Sequence, residues 1–344
     1  MKLPGRFLMT LLLYVLRRLA YMAPVLLGVT VLAFLISHAI PGDPAQLIAG
    51  PKASRETVEN IRRTHGLDQP LPAQYWRFLH GLSQGDLGVS IRSHRPVLED
   101  IRDYLPATLE LTLASLLLCL GLGIPLGILA AVKRNTVVDH LTRVFSVIGV
   151  STPVFWLGLM LLLVFYRHLG WLPGSGRLDV TMAAPLRITG MYTVDALLAG
   201  DWQALRNAAS HLLLPAFCLS YVYLAIITRI VRSSMIAVLG QDYIVTARAN
   251  GLSEARVVLK HAFKNSLIPT VTIVGLSFGE LMGGAILTET IFSWPGMGKY
   301  VVDSVNYLDF PAIMGFTLMV SLAYVCVNLA VDVLYAAINP TIRY

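Results

Sequence analysis

Residues 241–288 read QDYIVTARANGLSEARVVLKHAFKNSLIPTVTIVGLSFGELMGGAILT. The first part, 241–267, is polar and basic, whereas 268–288 holds a single charged residue, Glu280. An apolar run of that length matches the ~20 residues that an α-helix needs to cross a hydrocarbon core about 30 Å thick. The polar part predicts a helix from about Asp242 to Asn250, a break at Gly251 and a second helix from about Ser253. Gly251 suits the left-handed conformation that closes a helix. Ser253 suits the position whose side chain accepts a backbone N–H of the next helix. Pro269 fits the first turn of the next span, where its missing N–H costs nothing. A short helical hairpin is therefore expected to project from the membrane between two spans. Its tip is small and polar: Ala247, Ala249, Asn250, Gly251 and Ser253. Such a tip suits insertion into a cleft on another protein; the plainer reading is an ordinary basic loop.

Working outward, six segments have spanning length, near 17–39, 108–132, 144–166, 211–231, 268–288 and 312–336. The chain is 56% hydrophobic and only 14% charged, against about 25% charged in soluble domains, so lipid is its main solvent. In lipid every backbone polar group must be satisfied within its own segment, and no alternating barrel-type pattern occurs. The fold class is thus all-α and polytopic, with six transmembrane helices. The apolar stretch Leu8–Leu16 is expected to lie along the membrane surface ahead of the first span. No small-residue cleavage site follows the first span, so it reads as retained.

The loops set direction. Residues 1–18 hold Lys2, Arg6, Arg17 and Arg18 and no acid; 133–143 and 232–267 are also basic, while 41–105 balances its charges and 289–311 is acidic. Basic short loops stay in the cytoplasm. Both termini and the loop 232–267 are then inside, and 41–105, 167–210 and 289–311 outside. This topology accounts for the net charge of +7 without nucleic acid as a partner. The chain divides into an N-terminal segment with the first span (1–40), a small extracytoplasmic module (41–105) and a five-helix core (106–344). In the module, helices are expected over Arg55–Thr64, stopped by Gly66, and over Gln74–Leu82. Tyr75, Trp76, Phe78 and Leu79 fall mostly on one face of the latter.

Glu280 reads either as a pathway residue or as a packed, hydrogen-bonded one, since a carboxylate at mid-membrane must face protein or water. Gly275, Gly279 and Gly283 recur every four residues and make a ridge for close helix approach, as do Gly123 and Gly127. Pro125, Pro153 and Pro215 are candidate kinks. Cys119, Cys218 and Cys326 lie in apolar runs and read as buried small side chains. The eight histidines are scattered without ligand spacing. No phosphate loop, metalloprotease, nucleophile-elbow or Cys-x-x-Cys motif occurs, so no catalytic, cofactor or metal site is expected on this chain.

The loop resembles the EAA loop of ABC-importer membrane subunits, though of the general pattern only Ala247 and Gly251 match; Val245 and Thr246 stand at the other signature positions, and Lys264 replaces a Pro. The peptide branch of that family is matched over nearly the whole chain. The matching stretches are PGDP at Pro41–Pro44, GDLGxS at Gly85–Ser90 and GIPLGxLAAxKR at Gly123–Arg134. Further along come DYxxTARAxGL at Asp242–Leu252, ILTETIFSWPGxG at Ile286–Gly298 and VNLxVDxLYxxxNPxIR at Val327–Arg343. The chain resembles the B-type subunit of dipeptide and oligopeptide importers. That resemblance implies a type I ABC importer permease fold in a bacterial inner membrane. It implies as partners a homologous second permease, two ATPases carrying ATP and Mg, and a periplasmic peptide-binding protein. It places ATPase coupling on Ala247, Arg248, Ala249, Asn250, Gly251, Leu252, Ser253 and Glu254, in a mechanical role. Dipeptide is the expected substrate; oligopeptide, glutathione, haem and nickel importers share the signatures. An ion-coupled carrier using Glu280 is the rival from another class.

Overall fold

The computed structural model describes residues 4–39, 43–50 and 52–338. Lys2, Pro41, Gly42 and the closing Asn339–Arg343 lie outside the described residues. Helix α1 runs unbroken over Pro4–Ala39. The stretch Leu8–Leu16 is therefore the start of the first span's own helix, not a separate surface helix, because no breaker stands between Leu16 and Leu19.

The module carries α2 (Pro44–Ala49), α3 (Arg55–His65) and α4 (Leu71–Ser83). Ser54 Oγ accepts Thr57 N–H at 3.1 Å to start α3, and Gly66, at φ +66°, closes it. Tyr75 and Phe78 of α4 turn onto Phe34 of α1, with ring centroids 5.3 and 6.4 Å away. Trp76, expected on the same face, is exposed, because one residue is a 100° step around a helix.

The remaining helices are α5 (Val97–Val132), α6 (Val137–Ser151), α7 (Val154–His168), α8 (Tyr192–Ala199) and α9 (Trp202–Leu239). They are followed by α10 (Asp242–Ala249), α11 (254–263), α12 (Leu267–Ile291), α13 (Met297–Asn306) and α14 (Phe310–Ile338). Among the described residues α5, α9, α12 and α14 are each long and apolar enough to cross a membrane. α9 is the axis of the bundle: 67% of its most apolar window is buried, against 33% for α5 and α12 and 17% for α14.

The third expected span is not one straight helix. α6 and α7 meet at 104°. Pro153 lacks an N–H and pushes Thr152 to extended angles, φ −84° and ψ 122°. The pair is nonetheless one crossing. Near its start Asp139 is clasped by Arg232, toward the end of α9, with Arg232 Nη2 2.8 Å from Asp139 Oδ2. Just past its end Gly176 N–H donates to Phe292 O at 3.1 Å, beside the far end of α12. With α1, whose apolar part covers Ala20–Ile36, the chain passes through the bundle six times.

Between helices in lipid there is little hydrophobic drive, so close approach of small residues carries association. A Cβ at Gly127 would sit 2.7 Å from Val231 Cβ, and one at Gly149 2.6 Å from Ala225 Cβ. Glycine thus lets α5 and α6 lie against α9. Gly275 and Gly279 back onto Val331 and Tyr324 of α14, but Gly283 faces open space, and its neighbour Gly284 turns toward Leu219 and Tyr223 of α9. Pro125 follows a π-helical turn at Cys119–Gly123, which absorbs it without a break, and α9 continues through Pro215. Cys119 and Cys218 are buried, but Cys326 on peripheral α14 is exposed.

Candidate functional site

The hairpin follows α9 directly. Ile244 and Ala247 of α10 and Val257, Val258 and Ala262 of α11 are buried in one cluster with Ile227, Val231 and Met235 of α9. Ala247, expected at the tip, is thus an anchor. Gly251 has φ +76°. Its N–H donates to Arg248 O at 2.9 Å, and Leu252 N–H reaches Ala247 O at 3.3 Å. These are the paired bonds of a Schellman ending, and Leu252 supplies its apolar contact against the cluster.

Ser253 occupies the position before α11 with extended angles, yet its side chain makes no capping bond. The closure is ionic instead. Arg248 Nη2 and Nε lie 2.6 and 3.1 Å from the two oxygens of Glu254. Each raises or lowers the other's pKa in the direction that keeps both charged: Arg248 up, Glu254 down, chiefly through their shared hydrogen bond. Both side chains are about half exposed, so the pair orders the tip more than it stabilises the fold.

The exposed tip is Arg248, Ala249, Asn250, Gly251, Ser253 and Glu254. Around Gly251 nothing lies within 4 Å of where a Cβ would stand. On the base, Asn265 Nδ2 donates to Tyr243 Oη at 3.0 Å, tying α10 to the start of α12. A small tip on a base packed into α9 and α12 can transmit a push. Among the described residues no cluster of three metal-ligating side chains occurs.

A second region lies along α9. Its core face is Leu224, Ala225, Ile227, Thr228 and Val231. Between α6 and α12 a strip stays half-buried or exposed: Tyr223, Ile226, Arg229, Ile230 and Ser233. Glu280 is exposed on α12 beside this strip and is an electrostatic neighbour of Tyr223. It makes no hydrogen bond or ion pair within the described residues. The structure thus places Glu280 and the hairpin at different depths of the bundle.

Sequence reasoning overlooked charges inside its own spans, Glu110 and Arg229 among them. Counting ionisable residues span by span reveals both. Glu110 is buried and meets Arg177 Nη2 at 2.6 Å. Arg177 also stacks 3.6 Å from the Tyr192 ring centre, so the segment 170–192 is clasped to α5.

The stretch Ile286–Gly298 has a structural explanation. Glu289 is fully buried. It accepts Thr108 Oγ1 at 2.6 Å and Lys299 N–H, in the first turn of α13, at 3.0 Å. Gly298 leaves room for that carboxylate, since a Cβ there would meet Glu289 Oε2 at 2.9 Å. Trp294 Nε1 donates to Ala107 O at 2.9 Å and seals the turn. Ser90 Oγ, in the GDLGxS stretch, donates to Asp309 Oδ2 at 2.5 Å and binds that loop to the start of α14.

Comparison with known proteins bears on this arrangement. Residues 123–344 match the family described as binding-protein-dependent transport system inner membrane component, and residues 11–112 match the corresponding N-terminal family. A probable D,D-dipeptide transport system permease protein of Escherichia coli (strain K12) is 55% identical, covering 92% of this chain and 94% of that protein. A dipeptide transport system permease protein of Alkalihalophilus pseudofirmus is 44% identical over 97% of this chain and 100% of its own length. A glutathione transport system permease protein of Salmonella paratyphi A is 44% identical over 96% and 99%.

Proposed function

Because the chain belongs to the family of binding-protein-dependent transport system inner membrane components, we propose that it forms half of the membrane pathway of an ATP-driven importer of dipeptides. The observation that carries this reading is the hairpin: an exposed tip of small residues, closed by Gly251 and the Arg248–Glu254 pair, on a base packed into α9 and α12. A motor docked on that tip moves α9, which carries the uncovered strip, and α12, which borders it. The motor is a pair of ATPase subunits on the cytoplasmic side, where the basic loops lie. A homologous permease covers the strip from the other side. A binding protein delivers the peptide at the opposite end, beside the module.

In this reading the coupling residues are Arg248, Ala249, Asn250, Gly251, Ser253 and Glu254 at the surface, with Ala247 and Leu252 as their footing. The chain itself hydrolyses nothing and needs no cofactor; ATP and Mg stay on the partners. Both termini are cytoplasmic, in a bacterial inner membrane. Dipeptide is the substrate favoured by the 55% identical relative, since the dipeptide and glutathione permeases are both 44% identical. The test is reconstitution. The tagged chain is expected to co-purify with a second permease and ATPases, and the vesicles to accumulate dipeptide only with ATP inside and binding protein outside. Uptake that persists without the ATPases but collapses with an uncoupler would instead identify an ion-coupled carrier.

A further inference from the structure

Helix α4 (Leu71–Ser83) holds no buried residue, although a helix of that length depends on packing for its stability. Successive residues step about 100° around it, and its three sides meet different surroundings. One side rests on α1. Tyr75 and Phe78 pack against Phe34, and Tyr75 Oη shares a hydrogen bond of 2.8 Å with Thr30 Oγ1. A second side rests on the end of α3 and the turn after it: Arg77 Nη2 donates to Thr64 O at 3.3 Å, and Gln74 Nε2 to Gln69 O at 2.7 Å. The third side carries Pro72, Trp76 and Leu79, and Trp76 is 72% exposed.

The register on α1 sets the depth of this helix. Arg18 is the last base before the apolar part of α1 and pairs with Asp332 of α14 at 3.1 Å, so the two mark the cytoplasmic edge of the hydrocarbon core. At ~1.5 Å per residue, Thr30 lies about 18 Å beyond Arg18 along the axis, and Phe34 about 24 Å. The core is about 30 Å thick. Both residues that hold α4 are therefore below its outer edge, Phe34 by about 6 Å, and tilt of α1 only deepens them. α14 gives the same level: from Asp332 back to Phe310, where it starts, is about 33 Å, one crossing. Aromatic side chains reach only a few ångströms from their backbone, so α4 sits at this edge and not above it in water. Along the same stretch of α1, Leu32, Leu35 and Ile36 are exposed. α1 itself packs on α14, the least buried of the four long spans, at the rim of the bundle. The open side of α4 thus continues the lipid-facing surface of α1.

We infer that α4 is an interfacial helix, lying in the outer leaflet beside α1 with Pro72, Trp76 and Leu79 among lipid headgroups and upper acyl chains. Trp suits this layer, with an apolar ring and one polar N–H. The depth of about 6 Å falls in the range of about 5–10 Å at which amphipathic helices settle in such a boundary. The polar side chains of α4 agree with it, since Gln74 and Arg77 turn away from the open side and onto backbone carbonyls. α3, with Arg55, Glu56, Glu59, Arg62 and Arg63, is the part of the module that stands in water. The module is thereby moored to the bilayer as well as to α1, whatever substrate the importer carries.

The experiment uses the full chain, alone and with its co-purified subunits, in vesicles of phosphatidylethanolamine and phosphatidylglycerol. Cys119, Cys218 and Cys326 are replaced by Ala. A nitroxide is attached at Trp76→Cys or, as the control in water, at Asn60→Cys on the exposed side of α3. Its collisions with dissolved oxygen, which prefers lipid, are compared with those of a nickel chelate, which stays in water. At position 76 the oxygen signal is expected to exceed the nickel signal severalfold, and at position 60 the order reverses. Nickel access at 76 equal to that at 60 overturns the inference, because α4 then stands in water. So does the loss of both signals at 76, which marks a protein partner on that side. If the chain without cysteines does not fold, the native one serves: Trp76→Phe is expected to reduce the fluorescence intensity lost to brominated lipid, and an unchanged loss overturns the inference. These results leave dipeptide import standing, since the reconstitution above tests it separately.

Discussion

Gly251 is the residue on which the hairpin turns, for two separate reasons. Its φ of +76° costs a residue with a Cβ about 1–2 kcal/mol, and the space beside it is open. Gly251→Ala is therefore expected to loosen the tip and lower ATP-coupled uptake severalfold. Gly251→Trp, whose ring fills the open space, is expected to abolish uptake while membrane insertion continues. Normal uptake by the Trp variant would sink the docking role.

The Arg248–Glu254 pair makes a quieter prediction. Arg248 holds the Glu254 carboxyl below its ordinary value. The ordering it supplies is thus fully present above the usual carboxylate pKa of about 4.3 and disappears as pH falls through the lowered value. Hydrogen exchange at Gly251 and Leu252 should be insensitive to this pair between pH 5 and 8, after correction for intrinsic rates. Glu254→Gln should raise exchange there severalfold at neutral pH. Equal protection in the two proteins would count against the ionic closure.

Among elements, the hairpin was the most legible in sequence, because helix-ending chemistry is local: a Gly at the left-handed position specifies its own turn. Its closure was less so. Ser253 looked like the cap, but a side chain six residues from Arg248 made the ion pair instead, a contact that depends on how the turn folds back. The span count was legible from hydropathy. The 104° break was legible only as a candidate kink, since Pro153 states that a hydrogen bond is lost, not how far the axis swings. The glycine ridges show the same limit. Spacing named Gly275, Gly279 and Gly283 together, yet only the neighbouring helix decides which are filled. Two substitutions separate these cases. Gly127→Leu overpacks against Val231 and is expected to cost about 1–3 kcal/mol, lowering the melting temperature in detergent. Gly283→Ala, with open space beside it, should leave that temperature unchanged.

At the scale of the whole molecule, buried charge pairs pin the two ends of the bundle: Asp139 with Arg232 at the hairpin end, Glu110 with Arg177 at the other. Neither pairing was legible, since the partners lie 93 and 67 residues apart and nothing local announces them. Arg177→Ala leaves Glu110 buried without a countercharge, held only by Thr193 N–H and Oγ1 at 2.7 and 2.6 Å, and is expected to destabilise the fold by about 3–5 kcal/mol. Adding Glu110→Gln should recover a large part of that, as read by thermal aggregation of the purified importer.

The broken third crossing also has a consequence for how the chain is made. α6 and α7 are 15 residues each, about 22 Å long, and neither alone bridges a core of about 30 Å. The two halves are therefore expected to enter the membrane together, the first waiting until the second has emerged from the ribosome. A topology reporter fused after Ser151 is expected to remain on the starting side, and one fused after His168 to arrive on the other. A delayed second reporter would make the bend at Pro153 a pause in biogenesis, set before any transport begins.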